Sequence, residues 1–202
     1  FHISLRKRIA EKNHFAFVGN FSDDIASAES SEINNKFYLV DKSGNKISGE
    51  EYYDGVTKFV DGVAWVQRNN GWYLLNKNGD RISNDSYSSV GHFVDGFAPV
   101  EHLFGWSYID KSGKEISDET FAAANNFSEG LAGVMQDDKW WFIDKTGNRI
   151  SAEEYDDVGY FSDGLAWVNL LGRYFFIDKT GNKISDKTYE FANNFYDGLA
   201  VV

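Results

Sequence analysis

The chain has 202 residues, of which 42% are hydrophobic and 17% aromatic, with a formal net charge of −11. That apolar content is ample for a core and excludes a disordered chain. The absence of cysteine excludes disulfides, thiolate metal sites and cysteine nucleophiles together.

The charge is uneven. Residues 1–20 carry Arg6, Lys7, Arg8 and Lys12 against Glu11, so the acidity lies in the rest of the chain. Such a surface repels phosphate backbones and anionic membranes, and neither nucleic-acid binding nor membrane insertion is expected. No apolar run approaches the roughly 20 residues of a membrane-spanning helix. The chain starts at Phe1 without a methionine, and it reads as a processed form or an excised piece of a larger polypeptide.

Residues 1–24 are read as a degenerate partial unit, with Phe1 to Ile9 loosely fitting two worn strands. Beyond it an acidic-Gly pair recurs as Asp61-Gly62, Asp95-Gly96, Glu129-Gly130, Asp163-Gly164 and Asp197-Gly198, each 34 residues after the last. Asp23-Asp24 is an earlier copy. A fixed period over most of a chain marks a repeat architecture. The units run 25–62, 63–96, 97–130, 131–164 and 165–198, with 199–202 opening a further one.

Each unit opens with a four-residue strand: "IASA", "VAWV", "FAPV", "LAGV", "LAWV", and "LAVV" at the end. Alternation puts its Ala and closing Val on one face and its leading apolar residue on the other. Both faces are apolar, so this strand is expected to be sandwiched. A second strand follows, as "FYLVD", "WYLLN", "WSYID", "WWFID" and "YFFID". Asp-Lys-x-Gly or its Asn variant comes next, at 41, 76, 110, 144 and 178. Its first residue caps backbone N–H groups and its glycine supplies positive φ. A hairpin into a short third strand is expected, anchored by Ile47, Ile82, Ile116, Ile150 and Ile184. The unit closes with a short helical or irregular connector carrying Tyr52, Tyr87, Phe121, Tyr155 and Tyr189. It returns through Phe59, Phe93, Phe127, Phe161 and Phe195.

On these residues the chain resembles the WG (KWG) repeat family of bacteria, whose units run roughly F-s-[DE]-G-L-A-x-V … [KG]-W-G-F-I-D-K-x-G. The resemblance covers about residues 15–202. The family's tryptophan matches Trp72, Trp106 and Trp140, with Phe37 and Tyr174 elsewhere. The glycine after it is replaced by Tyr38, Tyr73, Ser107, Trp141 and Phe175. The resemblance implies a tandem β-repeat array and carries over no catalytic residue. The expected fold is all-β, with about three antiparallel strands and a connector per unit. These units would stack as an open superhelical array, with a closed propeller-like ring as the alternative.

Candidate sites are few. The Asp of DKxG offers too few oxygens for calcium and reads as a turn cap. The clusters Glu50, Glu51, Asp54 and Glu153, Glu154, Asp156, Asp157 recur in one connector and read as a solvated rim rather than a hydrolase carboxylate pair. His2, His14, His92 and His102 lack metal-ligand spacing. No nucleotide-binding or nucleophile motif occurs, so no cofactor, metal or enzymatic activity is expected. The third position of the first strand varies (Ser27, Trp65, Pro99, Gly133, Trp167, Val201), which suggests an outward or groove-lining column. Trp65 and Trp167, with Trp141 from the diverged glycine column, are the candidate binding residues for a protein or glycan partner. Core packing between units is the alternative for each tryptophan. A non-enzymatic binding module is the leading expectation, ahead of an architectural spacer and a carboxylate-based hydrolase.

Overall fold

The computed structural model describes residues 4–49, 51–83 and 85–202. It is all-β but for one helix among the described residues, and it divides into two compact units, residues 1–89 and 90–202.

In the first unit, helix α1 (Leu5–Asn13) is capped by Ser4, whose hydroxyl accepts from the Lys7 amide at 3.4 Å. His14 ends it in the left-handed region, φ 57°. The helix corrects the strand reading of residues 4–9, and residues 1–3 of that reading lie outside the described residues. The segment is rich in Leu, Arg, Lys, Ala and Glu, which favour a helix. Its Ile9 is buried in one cluster with Val18, Ala26, Ala28 and Val40, so α1 covers the Ala face of the first sheet. That sheet is β1 (Phe15–Val18), β2 (Ile25–Ser30) and β3 (Phe37–Asp41); the next is β4 (Gly55–Val56), β5 (Val63–Arg68) and β6 (Gly71–Asn76).

Three sheets follow. They are β7 (Ser89–Val90), β8 (Phe97–His102) and β9 (Gly105–Asp110); β10 (Ala123–Ala124), β11 (Leu131–Gln136) and β12 (Lys139–Asp144); and β13 (Asp157–Val158), β14 (Leu165–Leu170) and β15 (Arg173–Asp178). All five sheets are antiparallel, with the repeated "xAxV" strand in the middle. The expected sandwiching of that strand is therefore present, and β5 and β11 bury all four of these positions.

Turn chemistry sets the period. Asp61 and Gly62 both have positive φ, 50° and 89°, between the bridged pair Val60 and Val63. This is the mirror-image two-residue turn that matches strand twist. The acidic residue does more than turn the chain. Asp23 accepts the Gly62 amide at 2.7 Å, Asp95 that of Gly130 at 2.6 Å, Glu129 that of Gly164 at 3.0 Å and Asp163 that of Gly198 at 2.7 Å. Each carboxylate thus clips the next repeat's turn, and Lys179 adds an ion pair to Glu129 at 3.0 Å.

The expected third strand after DKxG is corrected. It amounts to a single bridge per unit, such as Val40 with Lys46 or Ile143 with Arg149. The third strand of the last four sheets is instead the two-residue segment that precedes the acidic-Gly turn. The connector is irregular and docks its aromatic on the tryptophan column: Phe37 bridges Tyr53, Trp72 Tyr87, Trp106 Phe121, Trp140 Tyr155 and Tyr174 Tyr189. In the first copy the buried residue is Tyr53 rather than Tyr52, which is exposed. The extra residue in that connector shifts the column by one.

Within each unit the core lies between successive sheets. Ile25, Leu39 and Tyr53, at the first sheet, meet Phe59, Ala64, Val66 and Leu75 of the second. Tyr108 and Phe121 likewise meet Phe127, Ala132, Val134 and Ile143; Leu131, Phe142 and Tyr155 meet Phe161, Ala166, Val168 and Ile177. Small alanines let the sheets approach, and the ring of each returning Phe fills the gap; Phe161 meets Phe142 edge-on at 4.8 Å.

The variable column is also explained here. Its residues bond a facing position eight residues earlier: Gly19 to Ser27, Thr57 to Trp65, Gly91 to Pro99, Asn125 to Gly133, Gly159 to Trp167 and Asn193 to Val201, each amide donating to the opposite carbonyl. Volume is traded across this pair in the fourth and fifth sheets. Gly133 faces Asn125, whereas Trp167 faces Gly159. Where both partners are small, at Gly19 and Ser27, a cavity of about 540 Å³ opens against Ile25, Leu39 and Phe59. A β-carbon on Gly159 would lie 2.3 Å from Trp167 Nε1 and 2.4 Å from Asn194 Oδ1. Gly159→Ala is therefore expected to destabilise the 90–202 unit by about 1–3 kcal/mol, the usual cost of overpacking. Adding Trp167→Val, which relieves the contact with Nε1 but not the one with Asn194, should recover part of that loss in a urea melt, and a double variant no better than the single would refute the trade.

Candidate binding clefts

The DKxG turns are self-contained. Asp41 Oδ1 accepts the amides of Ser43 (2.8 Å) and Asn45 (2.9 Å), and the same pattern repeats at Asn76, Asp110, Asp144 and Asp178. In Asp144 burial raises the pKa, but the Thr146 hydroxyl and amides outweigh it and hold the carboxyl below its ordinary range. These oxygens face N–H and O–H donors, as the cap reading expects. Among the described residues no group of three or more His, Cys, Asp or Glu side chains is arranged to hold a metal ion.

The connector carboxylates likewise have structural partners. Asp54 pairs with Lys36 and accepts the Asn69 amide at 2.9 Å; Asp156 pairs with Lys139 and accepts the Leu171 amide at 2.6 Å. The lysine contact, then the amide, holds each of these carboxyls low. Glu51 meets Arg68 and Glu154 meets Arg149, both at 3.1 Å. Asp157 accepts the Val158 amide, Glu153 lines a cleft, and Glu50 lies outside the described residues, as does His2.

A cleft recurs where the connector of one repeat meets the second strand of the next. In the 1–89 unit it has a volume of about 430 Å³ and is lined by Glu51, Tyr53, Arg68, Asn69, Tyr73 and Arg81. In the 90–202 unit the same columns enclose about 460 Å³ with Glu153, Tyr155, Leu170, Phe175 and Lys183. Burial raises the pKa of both Tyr53 and Tyr155, which keeps these phenols neutral in the cleft walls.

The column in which the family's glycine is replaced supplies the cleft floor. Each aromatic there carries a cation from eight residues on. Lys46 lies 3.9 Å over Tyr38, Arg81 4.0 Å over Tyr73, Arg149 4.2 Å over Trp141 and Lys183 4.6 Å over Phe175. The third repeat changes both members at once. Ser107 and Glu115 replace the pair, and His102 Nε2 sits 2.8 Å from the hydroxyl and 2.9 Å from the carboxylate. The aromatic and the residue eight positions later vary together, a signal present in the sequence that the column-by-column reading missed.

The three candidate tryptophans do not form one surface. Trp65 is corrected outright. It is 4% exposed, edge-on to Tyr87 at 5.8 Å, and belongs to the core. Trp167 is half-buried beside Tyr174 and fills the space over Gly159. Trp141 is half-buried between Phe121 and Arg149, and its Nε1 is buried without a hydrogen-bond partner. By strand alternation Trp141 and Trp167 stand on opposite faces of their sheets. The most exposed large apolar side chains are elsewhere, at hairpin tips: Leu103 (89%), Phe104 (84%) and Leu171 (85%).

Comparison with known proteins places these features in a family. The model for the WG containing repeat matches residues 39–72, 106–140, 142–174 and 174–202, more than half of the chain. No curated protein sequence matches. Among solved structures, a eukaryotic initiation factor superposes with a TM-score of 0.53 at 11% identity, over 86% of this chain and 54% of that one. Hsv2 from Kluyveromyces lactis gives 0.46 at 8% identity, over 81% of this chain and 61% of that one. Regucalcin from Agrobacterium tumefaciens gives 0.34 at 12%, over 85% and 73%. The chain therefore spans about three fifths of the length of the Hsv2 structure it matches, and at these identities the likeness concerns the fold alone. With four matched segments and the same turn, clip and aromatic columns in successive sheets, the chain belongs to the WG repeat family.

Proposed function

We propose that this chain is a non-enzymatic binding module that holds segments of a protein partner in its inter-repeat clefts. One observation carries the reading: the same columns enclose a cleft of similar size in both units, yet line it with different chemistry. Packing positions of this fold change in compensated pairs, whereas Leu170 replaces Arg68 while its partner Glu51 is retained as Glu153. A protein segment suits the clefts better than a glycan. The aromatic faces that would stack on a sugar ring are covered by cations at Tyr38, Tyr73, Trp141 and Phe175. The overall charge of −11 disfavours nucleic acid.

Charge reversal of the stacked cations tests this. Arg81 and Lys183 are both exposed, so Arg81→Glu with Lys183→Glu should fold. Peptide and glycan arrays probed with the whole chain are expected to show peptide capture, lost in the double variant. The melting temperature should move by no more than about 2–4 °C, as for surface changes. Capture of glycans alone, or peptide capture indifferent to the reversal, would overturn the proposal.

A further inference from the structure

The two clefts are internal controls for each other, and their difference points to a ligand. In the 1–89 unit two of the six arginines of the chain line one cleft. At the equivalent cleft of the 90–202 unit Leu170 stands in place of Arg68, and Lys183 in place of Arg81. Arg81 is pre-oriented: its Nε donates to the Ser83 carbonyl at 2.7 Å, and its guanidinium carbon lies 4.0 Å over the Tyr73 ring. Arg68 is held by an exposed contact, since its side chain and that of Glu51 are 42% and 59% accessible. Exposed pairs of this kind exchange partners at little cost.

Resting on the cleft reading above, we infer that the cleft between the first and second sheets takes one carboxylate side chain of a partner polypeptide, gripped by Arg68 and Arg81. A guanidinium matches a carboxylate with two parallel N–H donors, which a leucine or a lysine cannot do. The incoming carboxylate takes the place of Glu51 on Arg68 and adds one negative charge to a cleft whose lining holds two arginines against one glutamate. Asn69, at the rim, offers an amide side chain for the backbone of the bound segment. The surrounding surface is acidic, so the segment that fits carries a single Asp or Glu among neutral or basic residues. A polyanion would be attracted here and repelled everywhere else.

Amide and arginine side-chain NMR of the whole chain, titrated with acetyl-Lys-Glu-Lys-amide, acetyl-Lys-Gln-Lys-amide and inorganic phosphate, tests the inference. The Glu peptide should give saturable shifts at Asn69, Gly79 and the Arg68 Nε group, and the Gln peptide should bind at least about tenfold more weakly. Arg68→Leu, which copies the other cleft, should cost about the same factor. The converse change, Leu170→Arg, should create saturable shifts for the Glu peptide in the 90–202 unit, and this arm stands even if the first variant folds poorly. Equal binding of the two peptides overturns the carboxylate assignment while leaving the cleft reading intact. Phosphate binding tighter than the Glu peptide overturns the polypeptide source. Shifts at neither cleft with any peptide would count against the cleft reading itself.

Discussion

Replacing Trp65 by alanine is expected to destabilise the 1–89 unit by about 3–5 kcal/mol, the range for removing a buried aromatic from a packed core. The residue is 4% exposed, its neighbours Val63, Ala64 and Val66 are equally buried, and its ring meets the edge of Tyr87. On the sequence, this tryptophan reads as a contact for a partner, whose removal would spare stability. The structure reverses the sign of that test. Urea denaturation followed by near-ultraviolet circular dichroism should show a lower midpoint with an unchanged slope. Trp65→Phe, which keeps a ring against Tyr87, should recover more than half of the loss. A change below about 1 kcal/mol for the alanine variant would mean that the site relaxes around the missing ring or that the tryptophan is not core.

What the sequence made legible was local. The Asp-Gly and DKxG turns announce themselves because their chemistry is contained in four or five residues, and Asp41 or Asp144 bonds its own turn. The sandwiched "xAxV" strand was readable because both faces are apolar. Other features depend on residues distant in sequence. A structural column is expected to keep one residue type, yet Gly133 and Trp167 occupy equivalent places because Asn125 and Gly159 face them. Variation that is compensated by a partner looks, one column at a time, like freedom to face solvent. The aromatic-cation column hid for the same reason, since only reading Ser107 together with Glu115 shows that the pair changes as a unit. Tyr52 and Tyr53 differ by one residue, and only the bridge to Phe37 decides which is buried. Turns and periodicity thus fix the repeat, while complementarity between repeats fixes what each column is for.

That complementarity is tested most severely at Phe161. It is 1% exposed, stands edge-on to Phe142 of the preceding sheet, and its carbonyl accepts the Ser128 hydroxyl at 2.7 Å. It therefore lies between two strands of the fifth sheet and fills the core of the junction with the fourth. Phe161→Ala is expected to cost about 3–5 kcal/mol. In an array whose modules are stabilised by their neighbours, that loss is local before it is global. Hydrogen exchange under native conditions should show the β13–β15 amides exchanging through a newly accessible opening. The amides of β1–β3, whose Ala face is covered by α1, should keep their wild-type protection. The corresponding truncation Phe59→Ala, which empties the junction between the first two sheets, should invert the pattern. If either variant accelerated exchange equally in every sheet, the repeats would be sharing one cooperative core, and clefts at separate junctions would not vary independently enough to recognise different side chains.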